Sequence, residues 1–541
     1  MGAAKATTTY DVALQRRQAL MGASGARALI KNFKVFRIAA FACIGGILYG
    51  YNQGMFSGIL TMASFGRHMG DYVENTTKKG WLTAILELGA WLGAVLSGAI
   101  AELCSRKYGI LIATTVFMLG VIIQATAVEA GHDSILAGRF ITGMGVGSLS
   151  TIVPLYNSEC APPEVRGALV ALQQLAITFG IMANQTSGCN YIGGTHVDTQ
   201  SDAAWLVPIC LQLAPALILF IGMMWMPFSP RWLIHHDRET EAREILADLR
   251  GLPTDHELIE LEFLEIKAQS LFEKRSLAER FPHLQALTAS NIFKLQFVSI
   301  RALFQSRAMF KRVLYYAPQI FGQLGLSENT TSLLATGVVG IAMFIATVPA
   351  VLWIDRLGRK PVLIVGAIGM ATCHIIIAVI LAKNIDNFHN HEAAGWAAIC
   401  MVWLFVVHFG YSWGPCAWII IAEIWPLSTR PYGTSLGASS NWMNNFIVGQ
   451  VTPDMLDGIT YGTYILFGLL TYIGAAFIYF VVPETKRLSL EEMDLIFGSE
   501  GTAQADAERM DEINREIGLA HILSQDGGVD QLGDEKPRAS V

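Results

Sequence analysis

The sequence has 541 residues, of which 52% are hydrophobic and 15% are charged, with a mean hydropathy of +0.42. Soluble proteins carry about 25% charged residues, so a mainly water-exposed surface is excluded. The apolar content also excludes a disordered chain, and 8 cysteines are too few for a disulfide scaffold. The net charge of −6 identifies no partner, because the charges collect before residue 36, within 231–312 and after Pro483. Long apolar runs lie between these regions, which predicts an all-α membrane protein that crosses the bilayer many times.

Eleven apolar runs are long enough to cross a bilayer core of about 30 Å as helices, which needs roughly 20 residues. They lie at 36–60, 81–101, 108–128, 134–157, 167–184, 204–226, 332–354, 361–382, 395–422, 433–451 and 460–482. A twelfth run, 313–326, spans only about 21 Å at ~1.5 Å per residue, roughly two-thirds of a crossing. The sequence therefore predicts twelve spans, of which the seventh is truncated.

The orientation of the spans follows from Lys and Arg, which are concentrated in the connections after the even-numbered spans. Both termini are therefore expected in the cytosol, with the protein in the plasma membrane. The first apolar run is too long for a signal peptide and is expected to remain as a span. Helical spacing of apolar residues predicts amphipathic helices at 239–249 and 258–272, and the polar, acidic tail is expected to contain a short helix at 503–523. We divide the chain into a cytosolic arm (1–35), an N-terminal six-helix bundle (36–230), a cytosolic helical loop (231–312), a C-terminal helix bundle (313–482) and a cytosolic tail (483–541).

Charged motifs repeat between the two halves of the chain at the predicted cytosolic helix ends. The N-terminal half carries Glu102, Arg106, Glu159 and Arg166, and the C-terminal half carries Asp355, Arg359, Glu423 and Arg430 at matching positions, with Arg356 as a further charge beside Asp355. The match indicates that one six-helix unit was duplicated, an arrangement in which transporters bind substrate near the membrane midplane. We interpret the paired charges as a gate that breaks and reforms, although helix-end snorkelling would explain any single pair.

The motifs of the chain resemble those of the sugar porter family of the major facilitator superfamily. The resemblance rests on Gly138-Arg139, on the segments 159–167 (ECAPPEVRG), 355–360 (DRLGRK) and 414–418 (GPCAW), and on 483–486 (PETK). It implies the major facilitator fold of two six-helix bundles and alternating-access transport of a monosaccharide or a related polyol. Tyr49 to Gly54 and the long loop are similar to the fungal branch of the family.

The resemblance also implies six substrate-binding positions. They are Gln173 and Gln174 in the fifth span, Trp418 in the tenth, and Asn441, Trp442 and Asn445 in the eleventh. Their chemistry suits a sugar, because amides both donate and accept hydrogen bonds and an aromatic face covers C–H surface. Packing or an interfacial belt would explain either tryptophan alone. Three asparagines inside one apolar span, Asn441, Asn444 and Asn445, favour a polar cavity instead.

One departure from the family concerns coupling to protons. Proton-coupled members commonly carry Asp in the first span opposite the Arg of the fourth, whereas this chain has Asn52 facing Arg139. Asn cannot take up a proton near neutral pH, which slightly favours facilitated diffusion over proton symport. Glu87 in the second span provides an alternative, since an intramembrane carboxylate is functional by default and could pair with Arg139 or carry the proton.

Two further departures affect gating and binding. Phe228 stands where the family usually has Glu, which leaves Arg231 with fewer partners. The truncated seventh span lacks the amide-rich tract that precedes the Tyr315-Tyr316 pair in the family and supplies sugar contacts. We therefore expect weak or absent transport by the chain as it stands.

Two classes of function remain open. The first is a monosaccharide carrier, with a proton-coupled carrier of polyols or quinate-like acids as its variant. The second is a non-transporting sugar receptor, which the 55 residues after Lys486 make less favourable because receptors of this kind bear long signalling tails. An enzyme is not indicated, since the sequence has no phosphate loop, metal cluster or catalytic triad motif. The expected partners are a small-molecule sugar, the lipid bilayer and, if transport is coupled, protons; no cofactor or nucleic acid is expected.

Overall fold

The computed structural model describes residues 32–60, 62–162, 165–186, 200–280, 294, 333–384, 392–423, 430–482, 484 and 500–518. Its N-terminal half contains α1 (Phe33–Ala42), α2 (Ile44–Ile59), α3 (Ala63–Met69), α4 (Asp71–Glu74), α5 (Thr76–Cys104), α6 (Arg106–Ala125), α7 (Ala127–Ala130), α8 (His132–Cys160), α9 (Arg166–Thr186), α10 (Ala203–Leu211) and α11 (Leu213–Met223). The long loop and the tail contain α12 (Pro230–His235), α13 (Glu239–Arg250), α14 (Glu257–Arg280) and α21 (Glu500–Glu516). The C-terminal half contains α15 (Leu333–Leu357), α16 (Arg359–Asn384), α17 (Glu392–Tyr411), α18 (Trp413–Glu423), α19 (Arg430–Ile459) and α20 (Tyr461–Val481).

Helices cover all eleven long apolar runs, so the predicted all-α membrane fold is confirmed. Within the described ranges, eight helical spans are long and apolar enough to cross a membrane. Three predicted spans are interrupted, at Cys43, Gln212 and Ser412, so each consists of two consecutive helices. The 313–326 segment lies outside the described residues, and its truncation stays a prediction.

Glycines let α5 and α8 pack at backbone contact distance. A Cβ atom on Gly147 would lie 1.9 Å from the carbonyl oxygen of Ala90, and one on Gly143 would lie 2.1 Å from that of Leu86. Gly89 of α5 approaches α8 in the same way. Membrane helices use small residues for this purpose, because lipid gives them no hydrophobic force that would drive association. The register between α5 and α8 is therefore fixed, and so is the placement of the polar side chains beside these glycines.

The two halves meet where α5 packs along α19 and where α9 packs against α15. At one end of the α5–α19 seam, Thr77 Oγ1 donates a hydrogen bond to Asp454 Oδ1 at 3.1 Å, and Gln450 Nε2 donates to the Thr77 carbonyl at 3.3 Å. Further along the seam, Ser435 Oγ donates to the Ala94 carbonyl at 2.9 Å. These contacts hold α5 against α19 over most of its length.

The long loop forms a small helical unit whose core is built by α12, α13 and α14. The tail helix α21 packs against α14, where Ile513 contacts Phe272 in a small apolar cluster. Ion pairs flank this cluster: Arg275 lies 2.6 Å from Glu516, and Arg509 lies 2.7 Å from Glu279. The structure thus has helices at the three positions where the sequence predicts them, and the tail docks onto the loop.

Candidate substrate site and gate

Gln173 of α9 has the hydrogen-bonding capacity that a polar ligand needs. Its side chain is buried, with 1% exposure, and neither its Oε1 nor its Nε2 has a hydrogen-bond partner among the described residues. The amide faces α2, where a Cβ atom on Gly46 would lie 3.0 Å from Nε2. A buried amide without partners is costly, about 1–3 kcal/mol in proteins, so this position suits a group that brings its own donors and acceptors.

The neighbouring Gln174 connects the two halves. Trp418 Nε1 on α18 donates a hydrogen bond to Gln174 Oε1 at 3.1 Å. Gly414 leaves room for this contact, since a Cβ atom there would lie 3.1 Å from Gln174 Nε2. Two side chains predicted to bind sugar are therefore in direct contact across the interface between the halves.

The three predicted positions on α19 differ in their surroundings. Trp442 is fully buried, its Nε1 donates to Ser150 Oγ at 3.1 Å, and its ring centroid lies 4.9 Å from that of Tyr49. Because Ser150 occupies the indole N–H, Trp442 offers only ring surface in this conformation. Asn441 is buried and its Nδ2 has no hydrogen-bond partner within the described ranges, whereas Asn445, one turn further on, is half-buried.

The polar residues of the first, second and fourth spans form a second group. Asn52 Nδ2 donates a hydrogen bond to Gln212 Oε1 at 2.7 Å. Gln212 is the residue at the break between α10 and α11. Arg139 Nη2 donates to the Thr83 carbonyl at 3.0 Å. Its guanidinium lies 3.6 Å from the Phe56 ring centroid, a cation–π contact. Glu87 is close enough to Arg139 to interact with it electrostatically.

At the other end of α5, Arg106 holds together two of the predicted gating acids. Its Nη1 lies 3.0 Å from Glu102 Oε2, and its Nε lies 3.0 Å from Glu159 Oε1. Ser229 Oγ also donates to Glu159, a contact that the sequence analysis missed although this serine lies in the motif around Phe228. All four residues belong to the N-terminal half, so this part of the network does not bridge the halves. The side chain of Arg166 lies outside the described part of the chain.

In the C-terminal half the described part of the network is centred on Glu484. Its carboxylate accepts hydrogen bonds from the backbone N–H groups of Arg359, at 2.9 Å, and Lys360, at 3.1 Å. Gly358 has a φ of +93°, and a Cβ atom there would lie 2.7 Å from Glu484 Oε2. A carboxylate is stabilised at a helix N-terminus. In the sequence, the position of Glu484 just after the last span is the signal that could have identified it as part of the network. The predicted side chains of Asp355, Arg356, Glu423 and Arg430 are outside the described residues.

Phe228 occupies its site as part of an aromatic group. Its ring centroid lies 6.0 Å from that of Trp232 and 5.7 Å from that of Tyr108, and Lys107 Nζ lies 5.0 Å from the ring centroid. A cation–π contact thus stands where the family has a carboxylate. Arg231, which the sequence analysis expected to lack partners, donates from Nη1 to the Oε1 of Gln269 on α14 at 2.5 Å.

His235 lies between Glu102, which pairs with Arg106, and the helix α14 of the long loop. Its Nε2 lies 3.5 Å from Glu102 Oε1, and its Nδ1 lies 3.4 Å from the hydroxyl of Ser270 on α14. Burial lowers the pKa of His235 below the ordinary 6.5; Glu102 opposes this shift, and Lys274, His236 and Arg106 add to it. The docked state therefore disfavours the protonated ring.

We expect the docking of α14 to weaken as the pH falls below about 6.5, because the undocked loop then binds more protons than the docked one. Amide hydrogen exchange of α14, compared at about pH 7.5 and about pH 5.5, measures this docking. His235→Gln removes the titrating group and is expected to abolish the pH dependence. Equal pH dependence in the variant and the wild type would contradict the prediction.

Comparison with known proteins is consistent with the buried amides, the duplicated motifs and the two-half architecture. The sequence profile of the family described as Sugar (and other) transporter matches residues 38–497. The protein belongs to the sugar porter family. A quinate permease of Neurospora africana is 32% identical to this sugar porter over 502 residues, which cover 90% of this chain and 92% of that protein. The major facilitator-type transporter ecdD of Aspergillus rugulosus is 33% identical over 86% of this chain and 88% of its own length.

Solved structures agree with the fold of this sugar porter. The proton:xylose symporter XylE bound to 6-bromo-6-deoxy-D-glucose superimposes with a TM-score of 0.65 and 26% identity, over 86% of this chain and 99% of that one. A partially occluded inward-open conformation of XylE from E. coli gives a TM-score of 0.66 at 23% identity, over 84% and 99% of the two chains. The membrane-transporter class is therefore established.

Proposed function

We propose that this sugar porter carries a monosaccharide across the membrane by alternating access, with its charged motifs on the cytosolic side. The observation that supports this proposal best is the buried amide of Gln173, which has no hydrogen-bond partner among the described residues and lies beside the Gln174–Trp418 contact between the halves. Hydroxyls of a sugar both donate and accept, so they suit buried amides such as those of Gln173 and Asn441. A neutral ring is favoured because the predicted binding groups that the structure describes are amides and indoles.

Movement of the halves fits the weakness of the contacts between them. The hydrogen bonds of the α5–α19 seam include Thr77–Asp454, which is solvent-exposed and therefore worth little against water. Transport by facilitated diffusion is supported by Asn52, whose side chain holds no titratable proton and is tied to Gln212. The same charged end, with the loop unit docked on it, would remain attached to the N-terminal half throughout the cycle.

A second candidate substrate is a quinate-like carboxylate, favoured by the names of the relatives in Neurospora and Aspergillus. Such an anion would need a cation in the site, and Arg139 is a buried cation that the structure describes in the membrane-spanning part. Uptake of labelled D-glucose, D-xylose and quinate in a hexose-transport-deficient yeast separates the two candidates. Sugar-dependent alkalinisation of the medium that an uncoupler abolishes would contradict facilitated diffusion, and uptake of quinate alone would contradict the monosaccharide proposal.

Gln173→Leu and Asn441→Leu are each expected to lower uptake at least about tenfold, which corresponds to ~1.4 kcal/mol of lost substrate interaction. Each variant removes an amide of which at least one atom has no hydrogen-bond partner among the residues that the structure describes. Asn444→Leu is the matched control on the same helix, because the Asn444 amide already donates to the carbonyl of Ser440 at 2.7 Å. If Asn444→Leu reduces uptake as much as Asn441→Leu does, with all three variants folded, the proposed site is wrong.

The short 313–326 segment is expected to limit transport, since roughly 20 residues are needed for a helical crossing. A variant with apolar residues inserted between Arg312 and Val313 is therefore expected to take up sugar faster than the unmodified chain. Initial uptake rates, normalised to the amount of protein at the cell surface, measure the difference. Growth of yeast on a sugar through the unmodified chain, at the rate of the lengthened one, would refute this expectation.

A further inference from the structure

Arg139 places a permanent positive charge inside the bundle. It lies on the membrane-spanning helix α8 and is 2% exposed. A guanidinium does not lose its proton in proteins, so it cannot escape the cost of burial by becoming neutral. The Thr83 carbonyl and the Phe56 ring stabilise it only with partial charges. A full negative charge nearby is needed for electrical balance.

The packing of α5 against α8 provides that charge. The carbonyl of Leu86 lies against Gly143, and the carbonyl of Phe140 lies against Gly89, so the segments that carry Glu87 and Arg139 are in backbone contact. Arg139 already reaches α5 at Thr83, and Glu87 follows Thr83 by one helical turn on the same face. The carboxylate of Glu87 is buried, interacts electrostatically with Arg139, and has an Oε2 atom without a hydrogen-bond partner among the described residues.

Within the described part of the chain, Asn52 and Tyr49 of the first span do not carry the opposite charge. Asn52 is neutral and its amide donates to Gln212. Tyr49 of α2 interacts electrostatically with Glu87, and its ring packs on Trp442 of the C-terminal half. Because Tyr49 is neutral, the carboxylate of Glu87 and the guanidinium of Arg139 are the two opposite charges of this group.

We propose that Glu87 is the permanent counter-ion of Arg139 and stays ionised throughout the transport cycle. Both residues belong to the N-terminal half, and the glycine positions let α5 and α8 pack at backbone contact distance. The pair therefore survives when the halves move, and no proton has to be taken up to balance Arg139. This inference rests on the proposed carrier function only for its transport readout.

A double-mutant cycle on thermal stability tests the pair without reference to transport. Glu87→Gln and Arg139→Gln are each expected to lower the Tm of the full chain in detergent by several degrees. The double variant Glu87→Gln/Arg139→Gln is expected to lose much less than the sum of the two, because neither charge is then left alone. Glu129→Gln, which removes an exposed acid from the short helix α7, is the matched control and is expected to leave the Tm unchanged. Additive losses, or an unchanged Tm in Glu87→Gln, would overturn the proposal.

Proton movements provide the second readout. Sugar uptake by the wild type is expected to cause no alkalinisation, and its rate is expected to be the same in the presence of an uncoupler. Sugar-dependent alkalinisation in the wild type that Glu87→Gln abolishes while keeping its Tm would assign Glu87 as a proton carrier and overturn the counter-ion role. If neither this chain nor the variant lengthened between Arg312 and Val313 transports a tested sugar, the proposed function is contradicted, whereas the stability cycle would still decide on the pair.

Discussion

Replacing Arg106 by alanine is expected to lower the free energy of unfolding by about 3–5 kcal/mol, because breaking a buried ion pair leaves uncompensated charge. The side chain of Arg106 is 8% exposed, and those of Glu102 and Glu159 are 17% and 8% exposed. Both carboxylates would lose their cation in the variant. Arg106→Lys keeps the charge but cannot offer the same planar set of donors to two acids, so an intermediate loss is expected.

The matched control for Arg106→Ala is Arg238→Ala. Arg238 also pairs with a glutamate, Glu241 at 2.5 Å, but these side chains are 45% and 35% exposed. Exposed pairs contribute about 0–1 kcal/mol, so this variant is expected to be close to the wild type in stability. Denaturant unfolding of the detergent-solubilised proteins measures both values. Similar losses in the two variants would show that Arg106 is not the electrostatic centre of this region.

Gly147→Ala is expected to destabilise the protein by about 3 kcal/mol, at the upper end of the range for overpacked cores. The added Cβ atom would lie 1.9 Å from the carbonyl oxygen of Ala90, and a backbone atom cannot move aside as a flexible side chain can. The helices α5 and α8 would have to separate, which would also disturb Glu87 and Arg139. Gly66→Ala in α3 adds the same methyl group where no atom lies within 4 Å, and it is expected to fold normally.

The yield of monodisperse protein after detergent extraction, together with its Tm, tests the glycine prediction. The Gly66 variant controls for the intrinsic preference of alanine over glycine in a helix, which favours alanine by about 1 kcal/mol. Subtracting this effect leaves the contribution of close packing alone. A Gly147→Ala protein as stable as the Gly66 variant would mean that α5 and α8 can move apart without penalty.

Hydropathy predicts the membrane helices well, because a helix that faces lipid must satisfy its own backbone and present apolar side chains. Hydropathy does not predict the bounds of a helix well where that helix is packed among other helices. The predicted run 433–451 becomes α19, Arg430–Ile459, in which Gln450, at the end of that run, and Asp454, in the added turns, reach the seam with α5. Those polar residues end an apolar run in the sequence but continue the helix in the structure, since a partner helix satisfies them.

For the individual site residues, too, the sequence predicts the position on a helix, whereas the packing of the helices decides the contacts. The motifs place Gln173 and Gln174 together on α9. Only the packing of α18 decides that Gln174 is bonded to Trp418, while the Gln173 amide has no hydrogen-bond partner within the described ranges. The prediction of one span over 395–422 missed the break at Ser412, although Gly410 and the Gly414-Pro415 pair that flank it could have signalled it. Glu484 was missed because its role depends on where the N-terminus of α16 lies in space.

The helix α5 is held very differently by its two neighbours, and this has a mechanical consequence. Towards α8 the contact is rigid, because glycine positions leave no gap for the backbones to slide. Towards α19 the contacts include solvent-exposed hydrogen bonds, such as Thr77–Asp454, that can be exchanged for bonds to water at little cost. If a single molecule were stretched between its two halves, the contact between α5 and α19 would break first, at low force. The helices α5 and α8 would stay packed against each other.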